Sequence, residues 1–428
     1  MSLTYFTTIS PHRGAPRLWV EGHRIQQLGF ARNQPINVRL TDGALHITPA
    51  TTSRHKVSSR RANGEARPII DINSRRVLGT LCDAREVKVV GSYRSMVVLP
   101  TLRAASILNH GLGRSCYRVL DLFCGGGTLS DAFGGTPRFK VIAGVEREIG
   151  YADEFARKHP DAEIIIGDFR SMHPYELPEF DILLAGIPCT EHSNYGITKK
   201  SLKGQSEFGE AGDLFIPTLS LVAARMPAAC IFENVPRYGN SPAGRLLVLN
   251  LRRLGYDVRT TVLRPSVDYG EPSTRRRWVC VATLKPGFVV TNPHTPFAGT
   301  VGDFCDAPDA ELDQADVERI AVSFAGLRAH AARHGAKGNG FVRSLKVLDR
   351  NARECPTFCR SYHKINNSGA YLMTEYGPRM FRPAEVCRIH GQTFVSQDAS
   401  TVYQMAGQGV LTRLFAQHVA TPLAEFLP

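Results

Sequence analysis

The chain lacks any stretch that reaches the roughly 18 consecutive apolar residues of a membrane span, so no membrane association is expected. It also lacks an apolar run behind a basic start at MSLTYFTTISPHRG, and a secretory leader is not expected either. Paired C-x-x-C spacing is missing among Cys82, Cys116, Cys124, Cys189, Cys230, Cys280, Cys305, Cys355, Cys359 and Cys387. Cys355 and Cys359 come nearest, but no second pair completes a zinc site, so no metal is expected. That usage points to a reducing, cytoplasmic compartment with most cysteines acting as small buried hydrophobes. With 43% hydrophobic and 21% charged residues, the 428-residue chain is neither disordered nor fibrous, and it is long enough for several domains.

Acidic residues are scarce in one place. Residues 1–115 hold 17 Lys/Arg against 6 Asp/Glu, whereas the remaining 313 hold 35 against 33. Most of the net charge of +13 therefore belongs to an N-terminal appendage. A basic appendage on a near-neutral body suggests a polyanion partner, most often nucleic acid, with a solvated basic surface as the plain alternative.

Residues 16–50 and 67–100 pattern as two copies of one unit, 51 residues apart. Trp19 falls over Ile70, Ile36 and Val38 over Val87 and Val89, and Leu45 and Ile47 over Met96 and Val98. Each copy predicts a strand, a short turn-helix around LGF (28–30) or LGTL (78–81), and two alternating strands. Some 35 residues cannot bury a core alone, so the copies are expected to pack into one pseudo-symmetric barrel, joined by a Ser/Arg/Gly-rich linker at 51–67. The first copy resembles the AbrB/SymE-like swapped-hairpin family, which implies DNA binding.

From 117 the pattern changes. YRVLDLF, KVIAGVE, AEIIIGD, FDILLAGIP, AACIFENV and RWVCVATL are apolar strands, with helices expected at 150–158, 212–226 and 243–254. Such strands separated by helices predict a doubly wound, Rossmann-like α/β domain with a parallel sheet covered on both faces. Residues 286–378 interrupt the rhythm and read as an inserted lobe. Its 301–318 part holds seven Asp/Glu and no Lys/Arg, and its 319–364 part ten Lys/Arg against two Asp/Glu. The expected domains are thus 1–115, 116–285, 286–378 and a return at 379–428.

Four segments carry chemistry. In VLDLFCGGGTLSDAF a strand runs into Asp121, Phe123, Gly125 and Gly127, where glycines let backbone approach a ligand. Glu146 ends the next strand, placed to accept both hydroxyls of a ribose, and Asp168 ends the third, placed to accept from an adenine amino group. In FDILLAGIPCTEHS a strand delivers Pro188 and Cys189 into a long polar loop. In isolation such a cysteine reads as packing; past a strand's carboxyl end it sits where doubly wound sheets place ligands. Glu233 follows the apolar strand of IFENVPRY, and a carboxyl in a dry site can stay protonated. In YGEPSTRRRWVCVA, Arg275 and Arg277 alternate so that both face one side, suiting an anionic or carbonyl-bearing substrate.

In this order and spacing, the Gly-rich loop, Pro-Cys, Glu-Asn-Val and Arg-x-Arg resemble the DNA (cytosine-5)-methyltransferase family over about 117–428. GPRMFRPAEVCRIHGQTF and YQMAGQGVLTRLFAQHVA resemble its last two motifs. The resemblance implies that Asp121, Phe123, Gly125, Gly127, Glu146, Asp168, Pro188 and Gln408 hold S-adenosylmethionine. It implies that Cys189 is the nucleophile, with Glu233, Arg275 and Arg277 around the target cytosine, and that 286–378 recognises the target in double-stranded DNA. A bacterial or phage-encoded monomer without metal fits this picture. The chemistry suits the residue types: C5 becomes nucleophilic once a thiolate adds to C6, Glu233 serves N3, and an arginine serves O2. The cytosine must first leave the base stack.

Some positions depart from the family pattern. Thr190-Glu191-His192-Ser193 stands where Gln usually follows Pro-Cys, and Pro272-Ser273 replaces Pro-Gln. Gly407-Gln408-Gly409 replaces Gly-Asn-Ser, and His390-Gly391-Gln392 replaces Gln-Gly-Phe. They spare Cys189, Glu233 and both arginines, so an active enzyme is expected. The competing readings are an RNA cytosine-5 methyltransferase on the same scaffold, and a DNA-binding regulator or toxin-like protein with a degenerate methyltransferase body.

Overall fold

A computed structural model describes residues 2–62, 65–111, 113–188, 212–335, 346–366 and 369–428. The chain divides into two compact units, Met1–Gly113 and Arg114–Pro428.

The first unit is β-rich. One antiparallel sheet runs in the order β1 (Leu3–Thr8), β9 (Glu86–Ser92), β10 (Ser95–Pro100), β5 (Ala44–Pro49), β4 (Pro35–Thr41), β6 (His55–Lys56). A second runs β2 (Ser10–His12), β3 (Ala15–Glu21), β8 (Glu65–Asn73), β7 (Ser58–Ala62). Alternation sends Leu18, Val20, Ile70 and Ile72 of one sheet, and Leu45, Ile47, Val87, Val89, Met96 and Val98 of the other, into a single core. The strands thus form two sheets instead of the single barrel expected. The 51–67 stretch is not simply a linker either. Val57 is fully buried, and β7 pairs with β8 from Ser58↔Ile69 to Ala62↔Glu65, so a Ser/Arg-rich sequence forms a solvated edge strand.

The second unit is built on a seven-stranded sheet in the order β13 (Glu163–Ile166), β12 (Phe139–Glu146), β11 (Tyr117–Leu122), β14 (Ile182–Gly186), β15 (Ala229–Asn234), β17 (Arg277–Thr283), β16 (Asp257–Leu263). β11 to β15 are parallel as expected, whereas β17 runs antiparallel to both its neighbours. The chain leaves β16 and returns beside it through 264–276 without a covering crossover, which makes the pair antiparallel. β16 itself escapes notice in the sequence because DVRTTVL is a half-exposed edge strand.

Two apolar layers cover the sheet. Val119, Leu184, Ile231 and Val281 pack against Leu414, Phe415, Val419 and Leu423. On the other face Leu120, Leu183, Cys230 and Phe232 pack against Leu221 and Val222 of the helix Phe215–Arg225, and against Leu247 and Leu251 of Pro242–Arg253. The strand order reverses between β11 and β14, and ligands of doubly wound sheets bind beyond the carboxyl ends of strands at such a switch point.

Beyond β17 the chain forms the helix Ala310–Gly335 and a small sheet of β18 (Lys346–Leu348), β19 (Ala370–Thr374) and β20 (Gly377–Met380). Ile320, Phe324, Phe358 and Tyr371 share one core with Val386, Ile389, Tyr403 and Ala406, so the core runs across the 378/379 boundary drawn from sequence. The acidic run does not face solvent as a block. Arg379, with no exposed surface, lies between Asp313 (2.9 Å) and Glu385 (2.8 Å), and Arg382 reaches Asp306, Asp313 and Asp316.

Candidate functional site

The Gly-rich turn after β11 is held in a conformation that few residues adopt. Phe123, Gly125 and Gly127 have φ of 59°, 54° and 77°, and the helix Thr128–Gly134 starts directly after them. A Cβ on Gly125 would meet nothing within 4 Å, whereas one on Gly126 would lie 2.7 Å from Met405 Sδ. The loop is thus open on one side and closed on the other. Asp121, beneath it, accepts from Ser130 Oγ at 2.7 Å, and its Oδ1 is buried with no hydrogen-bond partner. Burial raises its carboxyl from the ordinary 3.8 to about 7. Lys158, on the helix Ile149–Lys158, ion-pairs with Asp131 and donates to Gly126 O at 2.9 Å, fixing the loop from behind.

Glu146 at the end of β12 accepts from Gly125 N (2.9 Å), Arg147 N (2.8 Å) and Glu148 N (2.8 Å). Oε2, which accepts only from Gly125 N, keeps acceptor capacity for a hydroxyl beside the open space over Gly125, whereas Oε1 is filled by Arg147 N and Glu148 N. Phe123 meets Phe169 edge to face with centroids 5.7 Å apart. Asp168 accepts from Arg170 N at 3.0 Å, and that backbone bond, together with the Arg170 guanidinium, holds its carboxyl below the ordinary value. Arg170 also reaches Asp213 at 2.6 Å. An open, glycine-lined turn with carboxylates at the next two strand ends fits the ribose and adenine of S-adenosylmethionine.

The far wall comes from the end of the chain. Val410 N donates to Thr128 Oγ1 at 3.1 Å, and Gln392 Nε2 to Val410 O at 2.7 Å. Tyr151 Oη donates to Gln404 Oε1 at 3.2 Å. Gln408, expected at the cofactor, is exposed and folds its amide back onto Gln404 O of its own helix at 3.2 Å. Met405 and Phe394 of this segment meet Gly126 of the loop, and Val410 meets Thr128 just after it.

The second half of the site lies across the switch point. Gly186 of β14 pairs with Glu233 of β15. Asn234 donates to Ile187 O at 2.9 Å and accepts from Val235 N at 2.9 Å, tying the two strand ends together. Pro188 is half-buried at this edge, and Cys189 lies outside the described residues. Glu233 is 8% exposed and meets Arg277 Nε at 2.5 Å. Burial pushes its carboxyl up from the ordinary value, against the opposing pull of Arg277 and Arg275.

The two arginines do different things. Arg277 pairs with Glu233, but the buried Arg275 donates to Phe358 O (3.1 Å), Gly407 O (3.0 Å) and Gly409 O (2.8 Å). The sequence reading placed both on one side toward substrate; the structure commits the Arg275 guanidinium to backbone carbonyls. Asn234, Thr128 and Lys158 are not picked out by the sequence, although Asn234 and Thr128 lie inside motifs that are. Among the described residues no group of three or more His, Cys, Asp or Glu side chains is placed to hold a metal ion, and no helix is long and apolar enough to cross a membrane.

Comparison with known proteins agrees with this geometry. The family model for C-5 cytosine-specific DNA methylase matches residues 117–423. The chain is 28% identical over 282 residues to type II methyltransferase M.NlaX of Neisseria lactamica, covering 64% of this chain and 85% of that protein. It is 25% identical over 310 residues to M.Bsp6I of Bacillus sp. (strain RFL6), covering 69% and 94%. In fold it is similar to the Entamoeba histolytica methyltransferase EhMeth, with a TM-score of 0.58 at 16% identity, covering 74% of this chain and all of that one. The S. pombe Dnmt2 methyltransferase gives 0.56 at 16% identity, covering 72% and 99%.

Proposed function

This chain belongs to the C-5 cytosine-specific DNA methylase family, and from that premise we propose that it methylates C5 of a flipped-out cytosine in duplex DNA through a covalent bond from Cys189 to C6. The observation that carries the reading is Glu233. It is a buried, protonation-favouring carboxyl beside Arg277, register-locked to the strand that leads into Pro188 and Cys189. Glu233, whose burial favours the protonated form, would donate to N3 of the base, which withdraws charge as the thiolate adds to C6. Arg277, held against Glu233, would serve the O2 carbonyl. Asn234 keeps the two strand ends in step, so acid and nucleophile approach one ring together. Gly125, Gly127, Glu146, Asp168 and Phe123 would hold S-adenosylmethionine, which when bound supplies an electrophilic methyl group. Residues of about 286–378 would read the target, with the basic part along the phosphates.

The first unit adds a second DNA contact in this reading. Glu21, Asp71, Asp83 and Glu86 are each engaged by an arginine of the same unit, leaving most of its basic side chains for phosphates. In this reading its two halves are copies of one unit that pack on each other. Arg94 N of the second hairpin donates to Leu28 O at 2.6 Å, while a Cβ on Gly79 of the second copy would meet Leu40 of the first hairpin at 2.3 Å.

Duplex DNA carrying 5-fluorocytosine, supplied with S-adenosylmethionine, tests the covalent step, because fluorine stands where the C5 proton must leave after methyl transfer and so strands the adduct. A denaturant-stable protein–DNA complex is expected for the native chain and none for Cys189→Ser. A stable complex with RNA alone would instead support the RNA methyltransferase reading.

A further inference from the structure

Arg275 is the largest fully buried side chain at the site, and the chemistry above makes no use of it. Three of its acceptors belong to two segments far away in sequence: Phe358 in the inserted lobe, and Gly407 and Gly409 at the end of the helix Ala399–Gln408. Both segments lie in tight contact with something else. A Cβ on Gly407 would sit 2.3 Å from Cys359 C and 2.4 Å from Arg360 N, so helix and lobe backbone touch directly. A Cβ on Gly409 would sit 2.6 Å from Thr128 Oγ1 and 2.8 Å from Gln392 Nε2, against the helix that opens the cofactor loop. The backbone leading into Arg275 is fastened to the lobe as well, through Thr274 N to Cys355 O (2.9 Å) and Cys355 N to Pro272 O (2.8 Å). Ser273, fully buried, accepts from Arg275 N at 3.3 Å.

We propose that Arg275 is a positioning residue that braces the cofactor wall and the seat of the target-recognition lobe together, and that it does not touch the flipped base. The proposal rests on the methyltransferase reading. A planar guanidinium donates along several fixed directions at once, so one side chain sets the separation of three carbonyls; an ammonium on a flexible stem cannot. Two of this chain's departures from its family pattern belong to the brace. Ser273 caps the Arg275 amide, and Gly409 lets the chain approach Thr128 closely enough for its carbonyl to reach the guanidinium. His390, buried beside Arg275, is kept neutral first by burial and then by the arginine's charge, which takes it down to about 3. It therefore adds no second positive charge to the brace.

The test is Arg275→Lys in the full chain, with steady-state kinetics on S-adenosylmethionine and duplex DNA beside separate binding measurements for each. Removing charge-assisted bonds to carbonyls on two segments should weaken cofactor and DNA binding together, each by roughly tenfold or more. At saturation kcat should stay within about threefold of the native value, because no interaction made only in the transition state is lost. The pH profile should not move. Gly409→Ala, which drives the Gly409 carbonyl away from the guanidinium through its clash with Thr128, should give the same split and serves if the lysine variant does not fold. A kcat lower by about a hundredfold with both affinities intact would assign Arg275 to the base and overturn the brace. So would a change in one affinity alone, or in neither. If the native chain forms no 5-methylcytosine, the methyltransferase reading fails, and the two binding measurements still decide the brace.

Discussion

Asp121 offers a prediction whose size follows from its surroundings. Its carboxyl is 1% exposed, holds one bond from Ser130, and is pushed up by burial from the ordinary 3.8 to about 7. The folded protein therefore keeps a proton that the unfolded chain has already lost above pH 4. Where the folded state binds more protons, stability falls as pH rises. The contribution is fully present below the unfolded value and disappears as pH passes through the folded one. Between pH 5 and pH 8 the loss from this group is about 2.5 kcal/mol. Asp121→Asn keeps an acceptor for Ser130 Oγ but carries no titrating proton, so its stability should not contain that slope. The assay is urea unfolding of the cofactor-free chain at both pH values. Trp278, buried in β17, reports on the second unit, and a Trp19→Phe background silences the other tryptophan. The double difference cancels every other titrating group. Equal losses for the native and Asp121→Asn chains between pH 5 and 8 would refute the reasoning.

Three further outcomes are expected. Glu233→Gln should lower kcat by about 10² to 10⁴ with cofactor affinity unchanged, and the native alkaline limb, on which the burial-raised carboxyl loses its proton as pH rises, should vanish. Gly126→Ala pushes on Met405 Sδ at 2.7 Å and Phe394 at 3.1 Å, so the KM for S-adenosylmethionine should rise while DNA affinity holds; an unchanged KM would show that the wall yields freely. Deleting residues 1–113 should flatten the salt dependence of DNA affinity by about 0.9 in log–log slope per lost phosphate contact, and an unchanged slope returns that charge to solubility.

The placement of the Gly-rich turn and of the carboxylates beside it was legible because its signals are local. A continuous apolar strand ends in Gly-x-Gly, and Glu146 and Asp168 fall at the next two strand ends. Glu233 was legible for the same reason, standing near the end of the fully buried β15. Arg275 was not, because i, i+2 alternation holds only inside a strand and β17 begins at Arg277, so Arg275 turns away on irregular backbone. Gln408 closes its own helix, where a position in a motif says little about side-chain direction. The lobe boundary at 378 was drawn where the strand and helix rhythm resumes. Yet the acids of 306–316 are matched by Arg379, Arg382 and Arg388 across it, a pairing that sequence spacing cannot show. In the first unit, Ser and Arg at 58–61 suggested a linker, though an edge strand tolerates such residues when one buried anchor, Val57, fixes it.

The central claim is transfer of a methyl group to C5 of cytosine in duplex DNA by Cys189. Duplex DNA incubated with the purified chain and S-adenosylmethionine, then digested to nucleosides and resolved by mass spectrometry, tests it directly. The account predicts 5-methyl-2′-deoxycytidine with the native chain and none with Cys189→Ser. A methylated product from the serine variant, or methyl on a position other than C5, would contradict it.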